Sequence, residues 1–331
     1  MKLRRAATAF ALVAASAAVA VAPQTATAAA NCSYTFSNQT PLVDLGSATY
    51  QGQSGGLYPG ASNTRPAAHT QAGKDIALNH VLPRNAAGQV DLVNGKVVLI
   101  SIGMSNTTQE FQAFIAKARQ YPNLNTHLVI VDGAQGGQDA HAWADPANAT
   151  WSVLANRLAT AGVTAAQVQA VWIKEQYIGD NLGAFPAGAQ SLRDTLATIA
   201  RNARAKYANL ALGYVASRIY TYDSTRSAGA YQQGFAVKWL IEQQINGDPT
   251  LSYGAGGVAP WLSWGPYMWA DGLGSDGVAG GIPGRSDGLE WKCSDLESDG
   301  VHPGPTGEQK VANMLLNQFS TDETTVSWFT K

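Results

Sequence analysis

Near the C-terminus the chain reads Asp299-Gly300-Val301-His302-Pro303, an acid three residues ahead of an imidazole. At that spacing the carboxylate can fold back onto Nδ1, fix the tautomer and leave Nε2 free to take a proton from a hydroxyl. Such a pair lacks a nucleophile, and Ser105 is the candidate. It lies in Lys96-Val97-Val98-Leu99-Ile100-Ser101-Ile102-Gly103-Met104-Ser105-Asn106-Thr107-Thr108-Gln109-Glu110, where a dense β-branched run gives way to helix-start chemistry. A serine on a strand-to-helix turn meets free N–H groups and the positive end of a helix dipole, which suits an anion or an attacking nucleophile. Each signal alone has a plainer reading. A D-x-x-H arises often by chance, and Ser105 could do no more than cap the helix.

Stepping outward, the elements must bring residues 105 and 302 together. The run 97–102 reads as a strand buried on both faces. Thr107 and Glu110 form a capping-box pattern, and Phe111, Phe114, Ile115 and Ala118 repeat as the apolar stripe of the following helix. Further strand-like runs at 127–131, 168–173 and 210–216 alternate with helix-like runs at 107–119, 151–160, 187–206 and 231–244. Strands alternating with helices imply right-handed crossovers and a parallel sheet covered on both faces, with ligands outside the carboxyl ends of the strands. Ser105 stands at such an end. Residues 31–95 read as a loop-rich layer packed on a main domain at 96–331, and 246–299, crowded with Gly, Pro and Trp, as a long functional loop. A last helix at 306–319 follows His302.

The first thirty residues carry Lys2, Arg4 and Arg5, an apolar run of small residues, and A-x-A sites near Ala28 to Ala30: the pattern of a secretory signal peptide, implying export. No other stretch is long and apolar enough to span a bilayer. Without that segment the formal charge moves from −1 to −4, a mild acidic balance that speaks against nucleic-acid or anionic-membrane partners. Cys32 and Cys293 are the two cysteines. In an exported protein with no metal-type spacing they favour one disulfide, with two buried thiols as the alternative. His69, His80 and His127 have no ligand-type spacing, so neither a metal site nor a cofactor is expected.

With the nucleophile and the terminal D-x-x-H in place, the chain resembles the SGNH (GDSL-like) hydrolases. It is most similar to the carbohydrate acetylesterases related to sialate O-acetylesterase, whose blocks read roughly G-Q-S-N-M, G-G-T-x-x-x-W, W-H-Q-G-E and D-G-x-H. The corresponding stretches are Gly103-Met104-Ser105-Asn106, then Gly136-Gly137-Gln138-Asp139-Ala140-His141-Ala142-Trp143, Trp172-Ile173-Lys174-Glu175-Gln176, and Asp299-Gly300-Val301-His302. They occur in family order over about 200 residues, from the first predicted strand to the last predicted helix. The resemblance implies a flavodoxin-like three-layer α/β/α sandwich with a mainly parallel sheet. It also implies a secreted serine esterase removing a short acyl group, such as acetyl, from a small-molecule or polysaccharide ester. In that reading Ser105, His302 and Asp299 are catalytic, Ser105 and Gly137 supply oxyanion N–H groups, and Asn106 lies by the substrate.

The third block departs from the family. Lys174 takes the place of the family's oxyanion glutamine. Lys174 could donate in its stead, Gln176 could swing in, or the two N–H groups could serve alone. Among the aromatics at Trp261, Trp264, Tyr267, Trp269 and Trp291, Trp264 and Trp269 are candidates for stacking on sugar, with core filling the alternative. His141 beside Asp139 is a weaker candidate base, and Arg285 a candidate grip for a substrate carboxylate. Two other functions remain open: a lipase, thioesterase or arylesterase with the same triad, and a non-catalytic carbohydrate-binding protein on a hydrolase scaffold. No obligate protein partner is implied.

Overall fold

The computed structural model describes residues 39–271 and 285–331. The expected signal segment and Cys32 lie outside them. Of the expected cysteine pair, Cys293 alone falls among the described residues, in the turn Cys293–Asp295.

A five-stranded parallel sheet forms the centre, with strands β1 (Val97–Gly103), β2 (Leu128–Val131), β3 (Val168–Lys174), β4 (Leu212–Val215) and β5 (Trp261–Trp264). Their spatial order is β2-β1-β3-β4-β5. Every residue of β1 and β3 is buried, as in a sheet covered on both sides, with Ser101, Gln169 and Lys174 the polar members among them. The helices longer than five residues are α1 (Ala67–Asn79), α2 (Ser105–Ala118), α3 (Ala149–Thr160), α4 (Ala187–Lys206), α5 (Ser227–Ile245) and α6 (Pro305–Thr321). On one face α2 packs against α6, and on the other α4 packs against α5, giving an α/β/α sandwich. None of the described helices is long and apolar enough to cross a membrane.

Three local expectations change. The helix after β1 begins at Ser105, with Met104 as its N-cap, so Thr107 is already inside it. Its hydroxyl donates to the Lys174 carbonyl at 2.7 Å, and Glu110 pairs with Lys174; no capping box forms. The Trp-rich segment supplies β5, whose all-buried positions make its sequence look irregular by strand alternation. The entry layer contains a 13-residue helix, α1, hidden by its weak apolar stripe.

The expected sugar-stacking rings fill the core instead. Trp264 is buried and its Nε1 donates to the Leu57 carbonyl at 2.6 Å. Trp269 is buried against Tyr231, ring centroids 4.7 Å apart. Arg285 is buried too, its guanidinium donating to the Tyr267 and Trp269 carbonyls and to Asp287. All three are committed to packing, and none lines the cavity at Ser105.

Candidate active site

The candidate nucleophile, Ser105, is placed by β1 and α2 together. Phe111 and Phe114 are fully buried, and Phe111 stacks on Trp172 of β3 at 5.4 Å, which anchors the helix on the sheet. Gly103 allows the close approach: a Cβ there would run into the Thr107 hydroxyl and the Lys174 carbonyl. Ser105 is thereby fixed as the first residue of α2, beyond the carboxyl end of β1 and beside the central strand β3.

The candidate base, His302, arrives from the other end of the chain. His302 Nε2 lies 2.7 Å from Ser105 Oγ, and His302 Nδ1 lies 2.5 Å from Asp299 Oδ2. With Nδ1–H donating to the carboxylate, Nε2 accepts from the serine hydroxyl. Asp299 Oδ1 accepts the backbone N–H groups of Val301 and His302, both at 2.9 Å, so the loop is wrapped around its own carboxylate. Burial pushes the Asp299 carboxyl up, but the His302 side chain and these N–H donors outweigh it and hold the group below its ordinary value. Gly300 takes φ +66°, a left-handed turn that glycine adopts without strain. Asn106, expected beside the substrate, lines the cavity; its Nδ2 donates to the Val301 carbonyl at 2.8 Å, tying the nucleophile's neighbour to the histidine loop.

Beside Ser105 opens a cavity of about 310 Å³ whose lining includes Gly137, His302, Ile178, Asp180, Arg218 and Arg226. Gly137 follows β2 and has φ +73°. The backbone N–H groups of Ser105 and Gly137 donate to no atom among the described residues. They are free to meet a developing oxyanion.

Lys174 does not join them. Its ammonium is fully buried and pairs with the equally buried Glu110, behind the nucleophile's helix. Burial lowers the Lys174 ammonium to about 8 against the pull of Glu110, and burial raises the Glu110 carboxyl. Gln176 is no substitute: it is fully buried, with its Nε2 donating to the Gly229 carbonyl at 3.0 Å. His141, the weaker candidate base, is exposed; it sits 3.3 Å from Asp139 and stacks on Tyr177. No group of three or more potential metal ligands occurs among the described residues.

Five lining residues escaped the sequence reading. Ile178, Gly179 and Asp180 form a turn after β3, fixed by the Ile178 N–H donating to Asp139 Oδ2 at 3.0 Å. Asp180 holds φ +54°, strained for a non-glycine residue, and pairs with Arg218 at 3.2 Å. Arg218 follows β4, and Arg226 is the residue before α5. The rule that ligands gather at strand carboxyl ends could have singled out Arg218, had the strand 210–216 been followed to its end; nothing in the local sequence marks Arg226.

No family model matches the chain, and no curated protein matches it. Among solved structures it is similar to a candidate SGNH hydrolase from Slackia heliotrinireducens, at 15% identity over 67% of this chain and 98% of that one, with a TM-score of 0.31. It is also similar to a candidate acylhydrolase from Bacteroides fragilis, at 14% identity over 77% of this chain and 97% of that one, with a TM-score of 0.36.

Proposed function

We propose that the protein is a secreted serine ester hydrolase of SGNH type that removes a short acyl group, acetyl first among them, from a carbohydrate. The observation that carries the reading is the unbroken relay from Ser105 Oγ through His302 to Asp299, opening on a cavity with two unpaired backbone N–H groups. His302 Nε2 takes the hydroxyl proton as Ser105 Oγ bonds to the ester carbon. The oxyanion is met by the N–H groups of Ser105 and Gly137. Collapse of the tetrahedral species breaks the carbon–oxygen bond to the alcohol, which leaves with the proton from His302. Water, deprotonated by the same nitrogen, then releases the acid and restores Ser105. Asp299 stays ionised throughout and steadies the imidazolium.

A cavity of about 310 Å³ holds a short acyl group, whereas a lipid chain would call for a long apolar groove. Hydrolysis of p-nitrophenyl esters of increasing acyl length, beside Ser105→Ala, tests the reading. Activity confined to short acyl groups and lost in the variant is expected. Preference for long chains favours a lipase. No activity above the variant on any ester, with Ser105 inert to a fluorophosphonate, favours a binding protein.

A further inference from the structure

The turn that carries His302 is gripped from outside itself. The Gly300 carbonyl accepts twice, from the Thr221 hydroxyl at 3.0 Å and from the Tyr222 N–H at 2.8 Å. The next carbonyl, that of Val301, accepts the Asn106 side-chain amide at 2.8 Å. The N–H at the other end of each of these two peptide units goes to one oxygen: those of Val301 and His302 both donate to Asp299 Oδ1 at 2.9 Å. A trans peptide unit is a rigid plane whose C=O and N–H point in opposite directions, so holding its oxygen also aims its hydrogen. Both planes are held at the oxygen end by other elements and meet the same carboxylate at the hydrogen end. Asp299 passes that orientation to His302 Nδ1 through its second oxygen.

Thr221 lies in the segment between β4 and α5, is 2% exposed and does not line the cavity at Ser105. Its hydroxyl donates to the Gly300 carbonyl and accepts the Asp223 N–H at 3.2 Å, which fixes the direction of its own hydrogen. The same segment closes over Gly300, where a Cβ would stand 3.3 Å from that of Tyr222, and the Tyr222 hydroxyl donates to the Trp291 carbonyl at 2.8 Å. We infer that Thr221 is a positioning residue of the catalytic relay: it aims the Gly300–Val301 peptide so that Asp299 holds the His302 imidazole with its proton on Nδ1. The inference rests on the ester-hydrolase reading above and adds to it a residue from a separate element. Polarisation works in the same direction, because a carbonyl that accepts two donors makes the N–H across its plane a stronger donor. Thr221→Val keeps the shape of the side chain and leaves the Tyr222 N–H on the Gly300 carbonyl, so the loop keeps one of its two grips there.

Thr221→Val is compared with Thr221→Ser, which restores the hydroxyl. For a short p-nitrophenyl ester, kcat of Thr221→Val is expected to fall about tenfold with KM nearly unchanged, and Thr221→Ser to recover most of the loss. In an Asp299→Asn background the same Thr221→Val change is expected to lower kcat by less than about twofold, because the group it acts through has lost its charge; a purely structural loss would keep its full size there. The imidazole nitrogen chemical shifts of His302 read the tautomer with no turnover. They are expected to show the proton on Nδ1 in wild type and Thr221→Ser, and a mixture with the Nε2–H form in Thr221→Val. Unchanged kcat in Thr221→Val, a fall that Thr221→Ser does not reverse, an equal fall in the Asp299→Asn background, or one tautomer shared by all three proteins overturns the inference. The two readings fail separately. A wild type inert to every ester whose tautomer still shifts in Thr221→Val loses the hydrolase reading alone, whereas an active esterase indifferent to Thr221→Val loses this inference alone.

Discussion

Asp299 does not line the cavity at Ser105, and its contribution is visible in what it holds. One oxygen fixes the His302 tautomer and the other gathers two backbone N–H groups of the same loop. Asp299→Asn keeps the shape and removes the charge, so the imidazole can turn its Nδ1 lone pair toward the amide and present Nε2–H to Ser105. The expected result is a fall in kcat of about 10³–10⁴-fold with little change in KM. The same variant has a signature in stability. Because the folded-state carboxyl sits below its ordinary value of 3.8, ionised Asp299 stabilises the fold above that pH, and the contribution fades as pH falls through the folded value. The melting temperature of wild type should exceed that of the variant at pH 6, with the gap closing as the pH is taken below the ordinary value of 3.8. A gap that stays constant across this range would mean that the loop does not depend on the carboxylate's charge.

Between elements, the contact that most affects the site is the Lys174–Glu110 pair joining the end of β3 to α2. Its misreading shows why sequence reaches only part of a site. The chain order places Lys174 at a strand end level with Gly103, and the structure has it there. Which way the side chain runs depends on its partner. Glu110 looks like a helix-cap residue until the helix is seen to begin two residues earlier. Ser105 and the Asp299–His302 loop were legible because strand, turn and D-x-x-H each have a local signature. The wall at Arg218 and Arg226 was not, because it is assembled from two separate elements. If Lys174 is structural, Lys174→Met leaves a buried carboxylate unpaired and should destabilise the fold by about 3–5 kcal/mol. Glu110→Leu combined with Lys174→Met should restore stability to within about 1 kcal/mol of wild type, since an apolar pair can replace a buried ion pair. Denaturant melts measure both. Ester hydrolysis persisting in the double variant would place the oxyanion donors elsewhere; its loss in a protein of wild-type stability would return Lys174 to the reaction.

Across the whole molecule, the order of the fold was legible from alternating strand and helix patterns, and what was lost is its far edge. There the apolar face of β5 is built from tryptophans that look like a binding loop, and α1 has too weak a stripe to read as a helix. The two oversights concern one interface. His69 of α1 donates its ring N–H to the Leu262 carbonyl at 2.8 Å, and Trp261 Nε1 donates to the His69 carbonyl at 3.1 Å. Arg65 reaches Ser263 and Asp322, and Tyr58 bonds to Ser263 at 3.1 Å. The segment ahead of β1 thus covers the outer edge of the sheet, where an unpaired strand would otherwise invite association. Gly73 makes this possible, because a Cβ there would press into the six-membered ring of Trp261. Gly73→Leu should lift α1 from β5 and cost about 1–3 kcal/mol by overpacking. If the edge layer and the sheet form one cooperative unit, tryptophan fluorescence and far-ultraviolet circular dichroism will report a single coincident melt in wild type, shifted down together in the variant. Two separated transitions, or a variant whose fluorescence melt moves while its dichroism melt does not, would mean that the segment before β1 folds on the sheet as an independent layer.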